Sequence, residues 1–197
     1  MVKKLILMEK LISKKINTCV FISGTGSNLK YIIKNSREYN FPAKITLVIS
    51  DQKKAKGLLL AKKNKISNYF IEYKNKYDFE KKILLILKKN KIHLICLAGF
   101  MKILSKNFLN NFKYKIINIH PSLLPKYKGL NTHYKAIKNK DNYSGCTVHY
   151  VDTSLDGGKI ILQKRVNINK YETEKSLKKK ILTEEHKIFS KAIRFIC

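Results

Sequence analysis

Acidic side chains are scarce in this sequence: 13 aspartates and glutamates stand against 42 lysines and arginines, giving a formal net charge of +29. A positive excess of this size is typical of nucleic-acid-binding proteins. However, nearly all of it is lysine, it is spread along the whole chain, and isoleucine and asparagine are also abundant. An A/T-rich coding sequence would produce this bias. We therefore favour compositional bias, although a positive surface would still attract phosphorylated substrates.

Long apolar runs and clustered cysteines are also missing. No stretch reaches the roughly 18 consecutive apolar residues of a membrane helix, so we expect no membrane partner. The four cysteines lie far apart, without zinc-binding spacing, and we expect no metal. Cys19, Cys96 and Cys146 fall in apolar runs, where a free thiol packs as a small hydrophobic group. This indicates a reducing compartment, and we expect a cytoplasmic protein.

The N-terminal stretch differs in character from the rest. Residues 1–15 are basic and partly apolar, with Glu9 as the only acid. We interpret them as a helical or disordered extension. A targeting segment is the alternative, although a secretory signal is not expected without a long apolar core and a clear cleavage site. The length of the remainder predicts a single domain over residues 16–197.

Predicted strands and helices alternate along the chain. The apolar runs predict strands over residues 18–22, 43–50, 68–71, 94–98, 116–119, 145–151 and 159–167. Helices are predicted over residues 29–34, 57–64, 77–89, 105–112, 132–138 and 172–197, the last capped by Thr173. The alternation predicts an α/β fold with a doubly wound, mostly parallel sheet flanked by helices. Ile160, Leu162 and Val166 alternate, which predicts a buried face on the last strand.

A glycine-containing loop, Ser23-Gly24-Thr25-Gly26-Ser27-Asn28, connects the first predicted strand to the first helix. Backbone amides at such a turn and at a helix N-terminus bind anions. The loop lacks the Lys-Ser/Thr ending of a Walker A motif and the third glycine of a dinucleotide fingerprint. We interpret it as a phosphate site, with an ordinary β–α turn as the alternative.

The strand over residues 116–119 stops abruptly at His120-Pro121, since proline cannot donate a ladder hydrogen bond. Asn118 and His120 are two residues apart and would face the same crevice at the carboxyl end of the sheet. An amide donor can hold a developing oxyanion and an imidazole can move protons, which suits acyl-group chemistry. The alternative is a structural histidine beside a hydrogen-bonded asparagine.

Four motifs in order carry a resemblance to a known family: SGTGSNL at residues 23–29, LAGFMKILS at 97–105, NIHPSLLP at 118–125 and LDGG at 155–158. Together they resemble phosphoribosylglycinamide formyltransferase, the folate-dependent transformylase of purine synthesis. The resemblance runs from about residue 16 to about residue 193.

The resemblance implies a formyltransferase fold with a Rossmann-like N-terminal half, and a definite reaction. The amine of glycinamide ribonucleotide would attack the formyl carbon of 10-formyltetrahydrofolate, the co-substrate. Asn118 would donate a hydrogen bond to the tetrahedral oxyanion, and His120 would donate or transfer a proton. Asp156 would hold His120 and an ordered water that carries protons from the amine to N10 of the folate. No metal and no covalent intermediate are required.

The resemblance also implies which residues bind the two small molecules. The acceptor would contact Gly26, Ser27, Asn28 and Lys76 around its phosphate, Glu185 at its ribose, and Met101 and Pro121 along its channel. The folate pterin would lie between Lys102, Ile103 and Leu104 on one side and a loop with Val151, Asp152 and Asp156 on the other.

Two other functions remain open on the sequence. A hydrolase of 10-formyltetrahydrofolate would use the same three catalytic residues with water as acceptor, but it would have no use for a phosphate loop. A nucleic-acid-binding protein built on an inactive enzyme would explain the charge, yet Asn118, His120 and Asp156 are all present. After the His-Pro motif this chain has the Thr132-His133 pair, which favours the glycinamide ribonucleotide formyltransferases over related enzymes that have a Gly-x-x-Pro pattern in this segment. We do not expect a nucleic-acid partner, and either a monomer or a homodimer is compatible with the sequence.

Overall fold

The computed structural model describes residues 15–197, and within them seven strands form one sheet. The strands are β1 (Ile16–Ile22), β2 (Ala43–Ser50), β3 (Ser67–Phe70), β4 (Leu94–Leu97), β5 (Lys115–His120), β6 (Tyr143–Tyr150) and β7 (Ile160–Asn167). The helices are α1 (Ser27–Ser36), α2 (Lys56–Lys63), α3 (Lys76–Lys89), α4 (Lys106–Asn111), α5 (Thr132–Lys138) and α6 (Glu174–Ile196). Except for Lys15, the predicted extension over residues 1–15 lies outside the described residues and stays a prediction.

The sheet has the order β3-β2-β1-β4-β5-β6-β7. Strands β1 to β5, which are the first five in this order, are parallel to one another, whereas β6 and β7 run antiparallel to their neighbours. The order 3-2-1-4-5 of these parallel strands is that of a Rossmann-like fold, as expected for the N-terminal half of the chain. The predicted α/β fold with a doubly wound, mostly parallel sheet is therefore confirmed.

Both faces of the sheet are covered by helices, which explains why its central strands are apolar throughout. Val20 and Ile22 of β1 belong to one core cluster, which also contains buried side chains of α1 and α6. The alternate residues Cys19 and Phe21 belong to a second cluster, formed with α3 and α4. Successive side chains of a strand point to opposite faces, so the two clusters are the two sides of the sheet.

The helix predictions are confirmed within about two residues, including the last cap. The Thr173 side chain accepts a hydrogen bond from the Ser176 amide, and Ser176 in turn caps the Thr173 amide. The predicted buried face of β7 is wrong in part, because Ile160 is 42% exposed. Ile160 lies beyond a register shift between Val148 and His149, near the start of an edge strand.

The fold creates its ligand crevice where the chain reverses its direction of winding. β1 pairs with β2 on one side and with β4 on the other, all three in parallel. Helices that follow neighbouring strands on either side of this point leave in opposite directions, so the carboxyl ends of β1 and β4 border an open cleft. β5 lies next to β4 and brings its own carboxyl end, with His120, to the same edge.

Candidate active site

His120 is the last residue of β5 and is buried, with 5% of its surface exposed. Its Nε2 lies 2.9 Å from the Tyr127 carbonyl oxygen, and its Nδ1 lies 3.3 Å from Asp156 Oδ2. Burial lowers the pKa of His120, and the contacts with Tyr127 and Asp156 oppose this effect without cancelling it. The ring is therefore mainly neutral at pH 7, yet both nitrogens face oxygen acceptors that suit the protonated form. Such a group can accept and return a proton.

Asp156 holds this arrangement from the loop between β6 and β7. Its backbone has φ 46°, a left-handed conformation that is uncommon for a residue with a side chain. Its Oδ2 accepts a hydrogen bond of 2.8 Å from the Gly129 amide, and its Oδ1 lies 3.7 Å from His149 Nε2. Burial raises the pKa of Asp156, but the contacts with His149, Gly129 and His120 together bring it below its usual value. The carboxylate is thus ionised and faces two imidazoles.

His149 is a buried residue of this site that the sequence analysis missed. It stands opposite Asn118 in the β5–β6 register, and its Nε2 lies 3.2 Å from Asn118 Nδ2. Its Nδ1 lies 2.7 Å from the Tyr150 carbonyl oxygen. A carbonyl only accepts, so Nδ1 donates to Tyr150, while Nε2 lies within hydrogen-bonding distance of the Asn118 carboxamide. This bond fixes the Asn118 carboxamide and leaves its second N–H for a ligand.

The segment after His120 is fixed by Thr147 of β6. Thr147 Oγ1 donates to the Ser122 carbonyl at 2.6 Å and accepts from the Leu124 amide at 3.1 Å. Ser122 Oγ in turn donates to the Lys126 carbonyl at 2.6 Å. These bonds supply the backbone groups of a proline-containing turn with partners, and so hold His120 rigidly at the strand end.

The glycine loop ends at Gly26, the N-cap of α1, in a left-handed conformation with φ 74°. A Cβ at this position would lie 2.8 Å from Gly57 Cα, so only glycine fits. No group within residues 15–197 accepts a hydrogen bond from the backbone amides of Ser27 or Asn28. Free amides at a helix N-terminus favour an anion.

Asn28 and Glu185 form a buried polar pair behind this loop. Asn28 Nδ2 donates to Glu185 Oε2 at 2.7 Å, and both residues are buried. Burial raises the pKa of Glu185, which the Asn28 hydrogen bond partly offsets. Asn28 Oδ1 is buried and has no partner within the described residues. A ligand hydroxyl would satisfy this oxygen.

The remaining predicted binding residues differ in their exposure. Met101 and Ile103 are exposed apolar residues after β4, at 62% and 63%, while Leu104 is buried. Lys102 is half-buried, and its Nζ lies 4.5 Å from the centre of the Tyr73 ring. Four other predicted residues make no contact that decides their role. Pro121 and Val151 are half-buried, whereas Asp152 and Lys76, the first residue of α3, are exposed. Their roles stay predictions.

No group of three or more histidine, cysteine, aspartate or glutamate side chains within residues 15–197 is placed to hold a metal ion. Over the same residues, no helix combines the length and the apolar character needed to cross a membrane.

The model of the family described as formyl transferase matches residues 16–193. The chain belongs to the formyl transferase family. Phosphoribosylglycinamide formyltransferase of Haemophilus influenzae is 40% identical over 179 residues, which cover 89% of this chain and 84% of that protein. The solved structure of phosphoribosylglycinamide formyltransferase from Brucella melitensis superposes with a TM-score of 0.88 at 36% identity, covering 92% and 95% of the two chains.

A longer relative contains the same domain as one of its parts. The human trifunctional purine biosynthetic protein adenosine-3 is 42% identical over 186 residues, or 93% of this chain. The chain spans only 18% of the length of that relative. The resemblance of the four motifs to the phosphoribosylglycinamide formyltransferases is thereby confirmed at the level of the family and its fold.

Proposed function

We propose that this chain transfers the formyl group of 10-formyltetrahydrofolate to the amine of glycinamide ribonucleotide, a step of de novo purine biosynthesis. The observation that carries the proposal is that Asn118 is linked through His149 to the His120–Asp156 pair, at the sheet edge that also holds the free amides of the glycine loop. Acyl-transfer groups and an anion site on one edge fit a phosphorylated acceptor. Relatives of similar length bear the name of this enzyme.

In the proposed reaction the amine nitrogen attacks the formyl carbon and a tetrahedral oxyanion forms. Asn118 donates its second amide N–H to that oxygen, while His149 keeps the carboxamide in place. The proton lost by the amine passes through His120, and through a water held by Asp156, to N10 of the folate. The bond between the formyl carbon and N10 then breaks and releases tetrahydrofolate. No step calls for a metal ion.

The proposed substrate contacts use the same edge of the sheet. The amides of Gly26, Ser27 and Asn28 hold the acceptor phosphate, and the Asn28–Glu185 pair meets the ribose hydroxyls. Residues of the loops after β4 and β6 hold the folate. Lys76 is exposed and its long side chain supplies charge near the phosphate. The proposal further assigns the catalytic domain to residues 16–197 and the cytoplasm as its compartment, acting as a monomer or a homodimer.

The test is formyl transfer with and without glycinamide ribonucleotide, using the wild-type chain and His120→Gln. A matched control is His93→Gln, because His93 is exposed and precedes β4 at the opposite edge of the sheet. We expect turnover that requires the acceptor, falls by about 10² or more in His120→Gln, and persists in His93→Gln. Circular dichroism confirms that each variant is folded.

The alternatives give different results in the same assay. Equal folate breakdown with and without the acceptor would make the protein a hydrolase. Inactivity in both conditions, together with duplex binding that weakens steeply as salt rises, would favour a nucleic-acid-binding protein.

A further inference from the structure

A buried carboxylate that the reaction does not use lies beside the cleft. Asp51 follows β2 directly, and its side chain has no exposed surface. Its Oδ1 accepts a hydrogen bond of 2.5 Å from Ser23 Oγ, and its Oδ2 accepts one of 2.9 Å from Gln52 Nε2. A buried charge is costly unless it is paired and hydrogen-bonded, so this position calls for an explanation.

Asp51 is connected through Ser23 to the loop after β4. Ser23 Oγ accepts a hydrogen bond of 2.9 Å from the Met101 amide, and the Ser23 amide donates to the Gly99 carbonyl at 3.0 Å. Asp51, Ser23 and Met101 follow β2, β1 and β4, which are neighbours in the sheet. The chain of hydrogen bonds therefore fixes the start of the loop that is proposed to form one wall of the folate pocket.

The same carboxylate also faces the charged residue of that wall. Lys102 Nζ lies 3.9 Å from Asp51 Oδ2 and 4.5 Å from the centre of the Tyr73 ring. An ammonium between a carboxylate and an aromatic face is attracted by both. Lys102 is thereby held along the wall of the cleft, although its side chain is one-third exposed.

We propose that Asp51 is a positioning residue for the co-substrate, because it orders the loop after β4 through Ser23 and holds Lys102 against Tyr73. This inference rests on the proposed function, since it assigns the folate to that loop. Asp51 touches neither substrate and acts only through Ser23 and Lys102. Its loss should weaken folate binding and leave the formyl transfer step intact.

The test begins with Asp51→Asn, which keeps an oxygen for the Ser23 hydroxyl and removes the charge that holds Lys102. We expect the KM for 10-formyltetrahydrofolate to rise fivefold or more, while kcat and the KM for glycinamide ribonucleotide stay within twofold. Lys102→Met should give a similar rise, and the double variant should not exceed the larger single effect, because both changes break one interaction. Lys106→Met, a change of an exposed lysine nearby, serves as the matched control.

A merely structural Asp51 would behave differently. Asp51→Ala and Asp51→Asn would then lower the melting temperature while the KM for the folate stayed unchanged, which overturns the inference. Equal changes in both KM values, or additive effects in the double variant, would also overturn it. Failure of the proposed function is recognised separately, because the wild-type chain would then show no turnover that depends on glycinamide ribonucleotide, whether or not it binds tetrahydrofolate in a calorimetric titration.

Discussion

Asn118→Ala isolates the contribution of a single oxyanion donor. Asn118 is half-buried on β5, and the described contact of its side chain is the 3.2 Å hydrogen bond to His149. Because that bond uses one of two N–H groups, the carboxamide is oriented before any substrate arrives. Alanine removes the donor, and because it is compatible with a β-strand, the backbone hydrogen bonds of β5 are kept.

The expected magnitude differs between catalysis and stability. A preorganised donor that acts on developing charge contributes a factor of about 10² to 10³ in kcat, or about 3–4 kcal/mol. The ground-state bond to His149 contributes about 1 kcal/mol to folding, which corresponds to a change of roughly 2–4 °C in melting temperature for a chain of this size. Both KM values should change little, because the ground-state formyl oxygen carries less charge than the oxyanion.

The assay compares initial rates, with both substrates varied, and thermal unfolding of the wild-type chain, Asn118→Ala and Asn68→Ala. Asn68 is the matched control, because it is also a half-buried strand asparagine and donates one hydrogen bond, to the Ile66 carbonyl at the far edge of the sheet. A fall in kcat of less than about tenfold would refute the assigned role, since it lies well below the factor for a lost oxyanion donor. So would a loss that appears mainly in KM.

Three further predictions follow from single contacts. Asp156→Asn should lower the pKa of His120 further, because the carboxylate raises it. The acid limb of kcat/KM and the NMR titration of His120 should then both move to lower pH, and an unmoved titration would contradict this. Gly26→Ala should cost about 1–3 kcal/mol of stability at this positive φ and raise the KM for glycinamide ribonucleotide, as measured by denaturant unfolding and steady-state rates. Thr173→Ala should cost about 0.5–2 kcal/mol in the same unfolding measurement, with kcat unchanged, because it removes the cap of α6.

The fold could be predicted well from the sequence because its signals are local. The apolar run over residues 43–50 matches β2 residue for residue, and α5 begins and ends as predicted. Elements of this kind can be predicted from local sequence, without knowing which distant segments they pack against. Ile160 shows the limit: its exposure depends on a register shift against β6, which alternation within one strand does not encode.

Residue patterns alone predict the site only where one segment contains its residues, whereas Asp156 and Glu185 were named through the family resemblance. Asn118 and His120 share a strand end, so their common face follows from spacing alone. His149 was missed, although a histidine within an apolar strand is itself a signal, because its partner lies across an antiparallel pair. The left-handed backbone of Asp156 is likewise set by the closed loop around it. Pairing of distant segments is the information that residue patterns lack.

The positions of the few acidic residues are informative about the site. Lysine is so abundant that its positions carry little information, but four of the 13 acidic residues make buried or nearly buried contacts in or beside the cleft or its loops. Asp51, Asp156 and Glu185 hold Ser23, His120 and Asn28, respectively, and Glu80 accepts from the Ser105 amide that follows the folate loop. Replacing an exposed acid with lysine costs little, because surface ion pairs contribute little. Replacing an acid that has a buried partner costs more, so these four acids are the ones on which we expect the site to depend.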